Sequence, residues 1–132
     1  MADVISVVPH GCKCDEDIVH WDAWIGPGEF DFEFLKTAFS SSPLLVQLTR
    51  ANTLVGIMLI TNRLPGVHEI VLLSKRHGCN ERGVGTRLLK YASSAYRGMQ
   101  IVHDHSELPG FYRKRSFVPI CCMPDWCVRL AV

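Results

Sequence analysis

Apolar side chains along this chain recur with two periods, and the switches between them mark its elements. Val4 to Val8 is a β-branched run closed by Pro9-His10-Gly11, which predicts a first strand. Asp15-Glu16-Asp17 precedes Ile18, Trp21 and Ile25, an i, i+3, i+7 spacing with acids at the end where a helix dipole favours them. A helix is therefore expected there, stopped by Gly26-Pro27-Gly28. Phe30, Phe32 and Phe34 alternate as in a strand, but Phe34, Leu35 and Ala38 fit a helical face. We read a helix from Asp31 to Phe39, ended by Ser40-Ser41-Ser42-Pro43.

Leu44 to Thr49 and Leu54 to Thr61 are apolar runs on either side of Arg50-Ala51-Asn52-Thr53, a β-hairpin pattern. A second turn, Asn62 to Gly66, leads into a strand from Val67 to Ser74. A helix opening at Gly83 carries Leu88, Leu89, Ala92 and Tyr96 on one face, with Gly98 as its stop. Gln100 to Val102 is a short strand ending at His103-Asp104-His105. Ser106 can cap a short helix from Glu107 to Arg115. Phe117 to Cys122 and Trp126 to Val132 form a closing hairpin around Pro124-Asp125. The sum is one mixed α/β (α+β) domain spanning residues 1–132, a mostly antiparallel central sheet flanked by helices.

Composition narrows the class. At 132 residues, with 48% hydrophobic and 20% charged positions, the chain can bury a core without staples. No apolar run approaches the roughly 20 residues of a membrane span, and Met1-Ala2-Asp3-Val4-Ile5 does not open a signal peptide. An intracellular setting, cytoplasmic or nuclear, is expected, with no membrane partner. The six cysteines then read as thiols rather than a disulfide framework. Cys12-Lys13-Cys14, Cys121-Cys122 and Cys127 lack the paired CxxC spacing of a zinc site, so no metal is expected.

Net charge is +1, but its distribution is lopsided. Residues 1 to 35 hold eight acids against Lys13 alone, a net −7, and the remainder holds five acids against thirteen bases, a net +8. The split suits an anionic ligand on the basic part and a cationic one on the acidic part, although two solvated faces would look the same. Nucleic acid is disfavoured, because the bases are dispersed and not interleaved with stacking aromatics.

Chemistry announces itself at residues 69 to 90. A strand-like run, Ile70 to Leu73, passes through a polar loop into Gly83-Val84-Gly85 and the helix that follows. A strand, a glycine-rich turn and a helix start make an anion site of exposed backbone N–H groups and a positive dipole end. A P-loop is excluded, since no Lys-Ser/Thr pair follows the glycine spacing. A dinucleotide fingerprint would need a third glycine where Leu88 stands.

Asn80-Glu81-Arg82-Gly83-Val84-Gly85 resembles the Q/R-x-x-G-x-G/A pyrophosphate loop of the GNAT superfamily of acyl-CoA-dependent N-acetyltransferases. Gly110-Phe111-Tyr112-Arg113-Lys114-Arg115-Ser116-Phe117 resembles that family's later FYxKxGF segment. Glu69, fourteen residues before Gly83, is similar in placement to the base of the general-control histone acetyltransferase branch. The order of elements agrees from Leu44 to Val132; residues 1–43, on the acceptor side, match poorly. Asn80 stands for Gln or Arg, Ser116 for the usual glycine, and His105 and Leu108 where many relatives have Asn and Ala.

The resemblance implies a GNAT fold, acetyl-CoA as cosubstrate, and direct acetyl transfer in a ternary complex to a cationic amine: a protein lysine or N-terminus, a polyamine or another small molecule. It implies backbone contacts from Leu73, Ser74 and Lys75 to the pantetheine arm, and from Asn80, Glu81, Arg82, Gly83, Val84, Gly85 and Thr86 to the pyrophosphate. Arg76, Arg82 and Arg87 could add charge. An ammonium acceptor needs a base, since its pKa of about 10 leaves little free amine at neutral pH. Glu69 is the first candidate, with His103 and His105 as rivals. A strand N–H near Leu73 is a candidate oxyanion donor, and Tyr112 a candidate acid for the leaving thiolate. The bland readings are a solvent-facing Glu69, satisfied surface histidines and a packed Tyr112. Cys79 beside the loop reads as an incidental thiol. The competing function is a non-catalytic CoA-binding or protein-interaction module of the same fold.

Overall fold

The computed structural model describes residues 3–9, 44–76, 82–103 and 110–131. The helices expected within residues 15–25 and 31–39, together with Cys79, Asn80, Glu81, His105 and Leu108, lie outside the described residues.

Among the described residues seven strands form one sheet: β1 (Asp3–Pro9), β2 (Leu44–Arg50), β3 (Thr53–Leu64), β4 (Val67–Lys75), β5 (Gly98–His103), β6 (Val118–Ile120) and β7 (Met123–Ala131), in the order β1-β2-β3-β4-β5-β7-β6. Every pairing is antiparallel except β4 with β5. A parallel pair requires a crossover, and α1 (Val84–Ala95) lies within the connection from β4 to β5. It is the one α-helix among the described residues.

The hairpin between β2 and β3 turns through Ala51 and Asn52, both at positive φ, as a two-residue primed turn demands. β3 runs three residues beyond the expected Thr61, and the turn to β4 shrinks to Pro65-Gly66. The cause is a register shift that leaves Arg63 as an extra residue between the Asn62↔His68 and Leu64↔Val67 pairs.

Two further expectations are corrected. Pro124-Asp125 is not the closing turn: Cys121-Cys122 is, and both Pro124 and Asp125 lie within β7. Proline is tolerated there because the register jumps from Ile120↔Met123 to Pro119↔Cys127, leaving residues 124–126 without a partner on β6. The helix expected to end at Arg115 is, over its described part, a single 3-10 turn at Arg113–Arg115 following Gly110, whose φ is 83°.

The core sits between the sheet and α1. Val84, Leu88, Leu89 and Ala92, on one face of α1, pack with Val46, Leu48, Met58, Ile60, Ile70, Val102 and Phe117. Burying each Val or Leu of that set contributes roughly 1.5–3 kcal/mol. Polar groups fix the far end of the helix. Buried Gln100 donates Nε2 to the carbonyl of Ala92 (2.9 Å), which also takes the Tyr96 N–H, and to the carbonyl of Tyr96 (2.8 Å) just past the last turn. Arg129 stacks on Phe117 and donates to Gln100 Oε1 (2.7 Å) and the Leu89 carbonyl (2.8 Å).

Candidate functional site

Glu69 is buried on β4, 8% exposed, and so is not the solvent-facing carboxylate of the bland reading. Its sheet face follows from register. Glu69 lies opposite Thr61 and Leu72 opposite Leu59, so these four share one face, although a spacing of three would normally put Glu69 and Leu72 on opposite faces. The extra residue that reconciles them is Val71, left over between the Leu59↔Leu72 and Ile60↔Ile70 pairs. A β-bulge of this kind interrupts the hydrogen-bond ladder and re-aims the backbone. The irregularity thus falls two residues before Leu73, whose own side chain packs against the α1 core opposite Met58.

β4 and β5 pair only from Val67↔Met99 to Ile70↔Val102. The described part of β5 reaches His103, one residue later, and β4 continues through Leu73 and Ser74 to Lys75. His103 falls on the face of Glu69, because Glu69 lies opposite Ile101 and His103 is two residues further along β5. Its ring meets Trp126 edge-on at 4.9 Å, their backbones being partners in the β5–β7 ladder. Glu69 and His103 are thereby brought to one side of the sheet.

Tyr112 belongs to the other side. It is 8% exposed, within the α1 core, and edge-to-face with both Phe111 (5.1 Å) and Phe117 (5.5 Å). Its carbonyl accepts the N–H groups of Arg115 and Phe117. Ser116 sits at φ 72°, in the left-handed region where glycine, the usual residue at this place in the resembled segment, is at ease.

The glycine loop opens α1 without help from side chains. Gly83 is the N-cap at φ 74°, with no side-chain capping bond and no acid in the first turn. Its carbonyl takes the Arg87 N–H at 2.9 Å. The N–H groups of Val84, Gly85 and Thr86 have no intrahelical acceptor, which is the geometry that suits an anion. A Cβ at Gly83 would meet nothing within 4 Å among the described residues; at Gly85 it would lie 2.9 Å from the Phe111 ring.

Three residues not singled out from sequence complete this corner. Phe111 lies against Gly85, and Arg115 covers its ring with the guanidinium carbon 3.9 Å from the centroid. Arg115 also donates to Thr86 Oγ1 through Nε at 3.0 Å and through Nη2, and to the Phe111 carbonyl through Nη1. Arg50 donates to the Arg82 carbonyl at 2.9 Å. No periodicity reveals such partners, which are 29 and 32 residues apart in the chain. A tyrosine on β5's approach is also notable: burial, then neighbouring Tyr91, pushes the Tyr96 phenol up to about 12.

These features fit a diphosphate ester: an uncapped helix start, glycine where the backbone must be approached, and basic side chains at the rim. No protein-family model matches the chain, and no curated protein matches it. Solved structures do. A GNAT-family acetyltransferase of Streptococcus pneumoniae TIGR4 is 20% identical, with 89% of each chain covered and a TM-score of 0.60. Ard1 of Thermoplasma volcanium is 16% identical over 100% of this chain and 99% of its own, at 0.66. N-acetylglutamate synthase of Neisseria gonorrhoeae, complexed with coenzyme A and N-acetyl-glutamate, is 16% identical over 98% of this chain but 35% of its own, at 0.62. The fold is that of the GNAT acyl-CoA N-acyltransferases.

Proposed function

We propose that this fold serves here as an acetyl-CoA-dependent N-acetyltransferase acting on a cationic amine. The observation that carries the reading is the uncapped, glycine-opened start of α1 beside a β4 that is bulged at Val71, just past its last described pair with β5. The coenzyme A in the gonococcal synthase structure supports the cosubstrate.

When bound, acetyl-CoA would supply a thioester as the acyl donor. The amides of Gly83 to Thr86 would hold its pyrophosphate, with Arg82, Arg87 and Arg115 adding charge at the rim. The backbone of Leu73, Ser74 and Lys75 would pair with the pantetheine arm as a strand edge pairs with an extended chain. Glu69 would take the proton of the attacking ammonium. The interrupted ladder at Val71 favours a backbone N–H there, rather than at Leu73, as the donor to the carbonyl oxygen. Tyr112 Oη would return a proton to the leaving sulfur.

His103 stands as the rival base on Glu69's face. The acid-rich first 35 residues favour a basic acceptor such as a lysine-bearing peptide or a polyamine. The structural relatives do not single out the histone and lysine branch, so the acceptor is proposed only as a class.

The direct test is incubation with acetyl-CoA and a panel of basic peptides, polyamines and amine drugs while thiol release is followed. Acceptor-dependent release is expected. Tight CoA binding with no release for any acceptor would instead support the non-catalytic module.

A further inference from the structure

The first strand, the second strand and the glycine loop meet at Arg50. Its guanidinium donates Nε to Asp3 Oδ1 at 2.8 Å and Nη2 to Asp3 Oδ2 at 3.0 Å, a two-pronged contact that fixes the plane of the group. Both side chains are withdrawn from solvent, 20% and 18% exposed, so the pair is held more firmly than a surface ion pair. The remaining Nη1 is then aimed at the Arg82 carbonyl oxygen, 2.9 Å away.

Peptide planarity carries the consequence. In a trans peptide the C=O and the following N–H point in opposite directions. Drawing the Arg82 carbonyl toward Arg50 therefore turns the Gly83 N–H to the opposite side of the loop. The Gly83 carbonyl is itself committed to Arg87 N–H, so the residue is held on both sides at the one point where φ is positive. We infer that Arg50, oriented by Asp3, is a positioning residue for diphosphate recognition: it sets the Arg82–Gly83 peptide so that the Gly83 N–H joins the first-turn amides of α1. This rests on the CoA reading proposed above and names a partner to that site on β2, 32 residues before Arg82.

Arg50→Lys and Asp3→Asn test it. Lysine keeps the charge but cannot fork to Asp3 and reach Arg82 together. Asn keeps the size of Asp3 but loses the second prong. Binding of CoA would be measured by calorimetry, and of pantetheine, which lacks the diphosphate, by ligand-observed NMR. Both variants are expected to bind CoA about tenfold more weakly, the net worth of about one hydrogen bond, with pantetheine unchanged. If charge alone mattered, Asp3→Asn would tighten CoA, since it removes a negative charge near the anion, and Arg50→Lys would bind as wild type; either result overturns the inference. Equal weakening of both ligands with a lowered melting midpoint would also overturn it, by showing general damage. Wild-type protein that binds no CoA would overturn the CoA reading as well, whereas normal CoA binding by all three proteins would overturn this inference alone.

Discussion

Gly56 on β3 lies directly under Val84, the first residue of α1, so closely that a Cβ at position 56 would fall 2.3 Å from Val84 Cγ1. The glycine is what lets the start of the helix sit down on the sheet. Gly56→Ala should cost about 1–3 kcal/mol in urea denaturation, because a packed core resists an added methyl. Val84→Ala in the same chain should recover part of that loss. A Gly56→Ala protein as stable as wild type would show that the helix start is not held at this distance.

Ser116 offers the opposite experiment. A residue with a Cβ at φ 72° pays about 1 kcal/mol or more for the left-handed conformation. Glycine removes that strain but loses more entropy on folding. Ser116→Gly should therefore raise stability modestly, by about 0.5 kcal/mol, read as an increased denaturation midpoint with unchanged slope. A decrease would mean that the serine side chain makes a compensating contact.

Glu69→Gln should lower turnover about a hundredfold or more, the usual worth of a positioned base. Activity should return in part at high pH, where more of the acceptor is already neutral. The measurement is kcat against pH for both proteins with the best acceptor found. A flat ratio across pH would point to His103, on the same sheet face, as the group that takes the proton.

The alkaline limb of stability should report on Tyr96. Its phenol is pushed up to about 12 by burial first and by Tyr91 second, the rings meeting edge-on at 6.1 Å. An unfolded tyrosine ionises near pH 10. Between roughly 10 and 12 the unfolded chain has released a proton that the native chain keeps, so stability should fall as pH rises through that window and be indifferent to this group below it. Phenolate absorbance should show a late-titrating tyrosine that Tyr91→Phe moves earlier. A titration unchanged by Tyr91→Phe would remove that ring from the explanation.

Much of this architecture is legible along the chain because its strands and helix are long enough to show a period. The β2–β3 hairpin, β4 and α1 follow from alternating or 3.6-residue patterns and from turn residues at Ala51-Asn52 and Gly83. The failures have local causes. Pro124-Asp125 carries turn chemistry, yet sits in β7, where the missing β6 partners make a proline harmless. The bulge at Val71 has no residue signature, since valine is an ordinary strand residue, and yet it decides which side chains share Glu69's face. Seven of the eight acids of residues 1–35, all but Asp3, and two of the six residues of the resembled pyrophosphate motif, Asn80 and Glu81, fall outside the described residues, so sequence alone speaks for them. The glycine loop was readable as an anion cradle, while Arg50, Phe111 and Arg115 were not, because what defines them is proximity between distant parts of the chain.

The parallel join between β4 and β5 is only four residue pairs long. The helix beside it touches both banks: Val84 and Leu88 bear on Gly56 of β3, while Gln100 of β5 and Arg129 of β7 grip its carbonyls. α1 is thus a splint across the one parallel join among the described strands. Any spreading of the two plates must tilt the same helix whose opening amides face the proposed ligand, so the chassis of the molecule and its ligand cradle are one mechanical part.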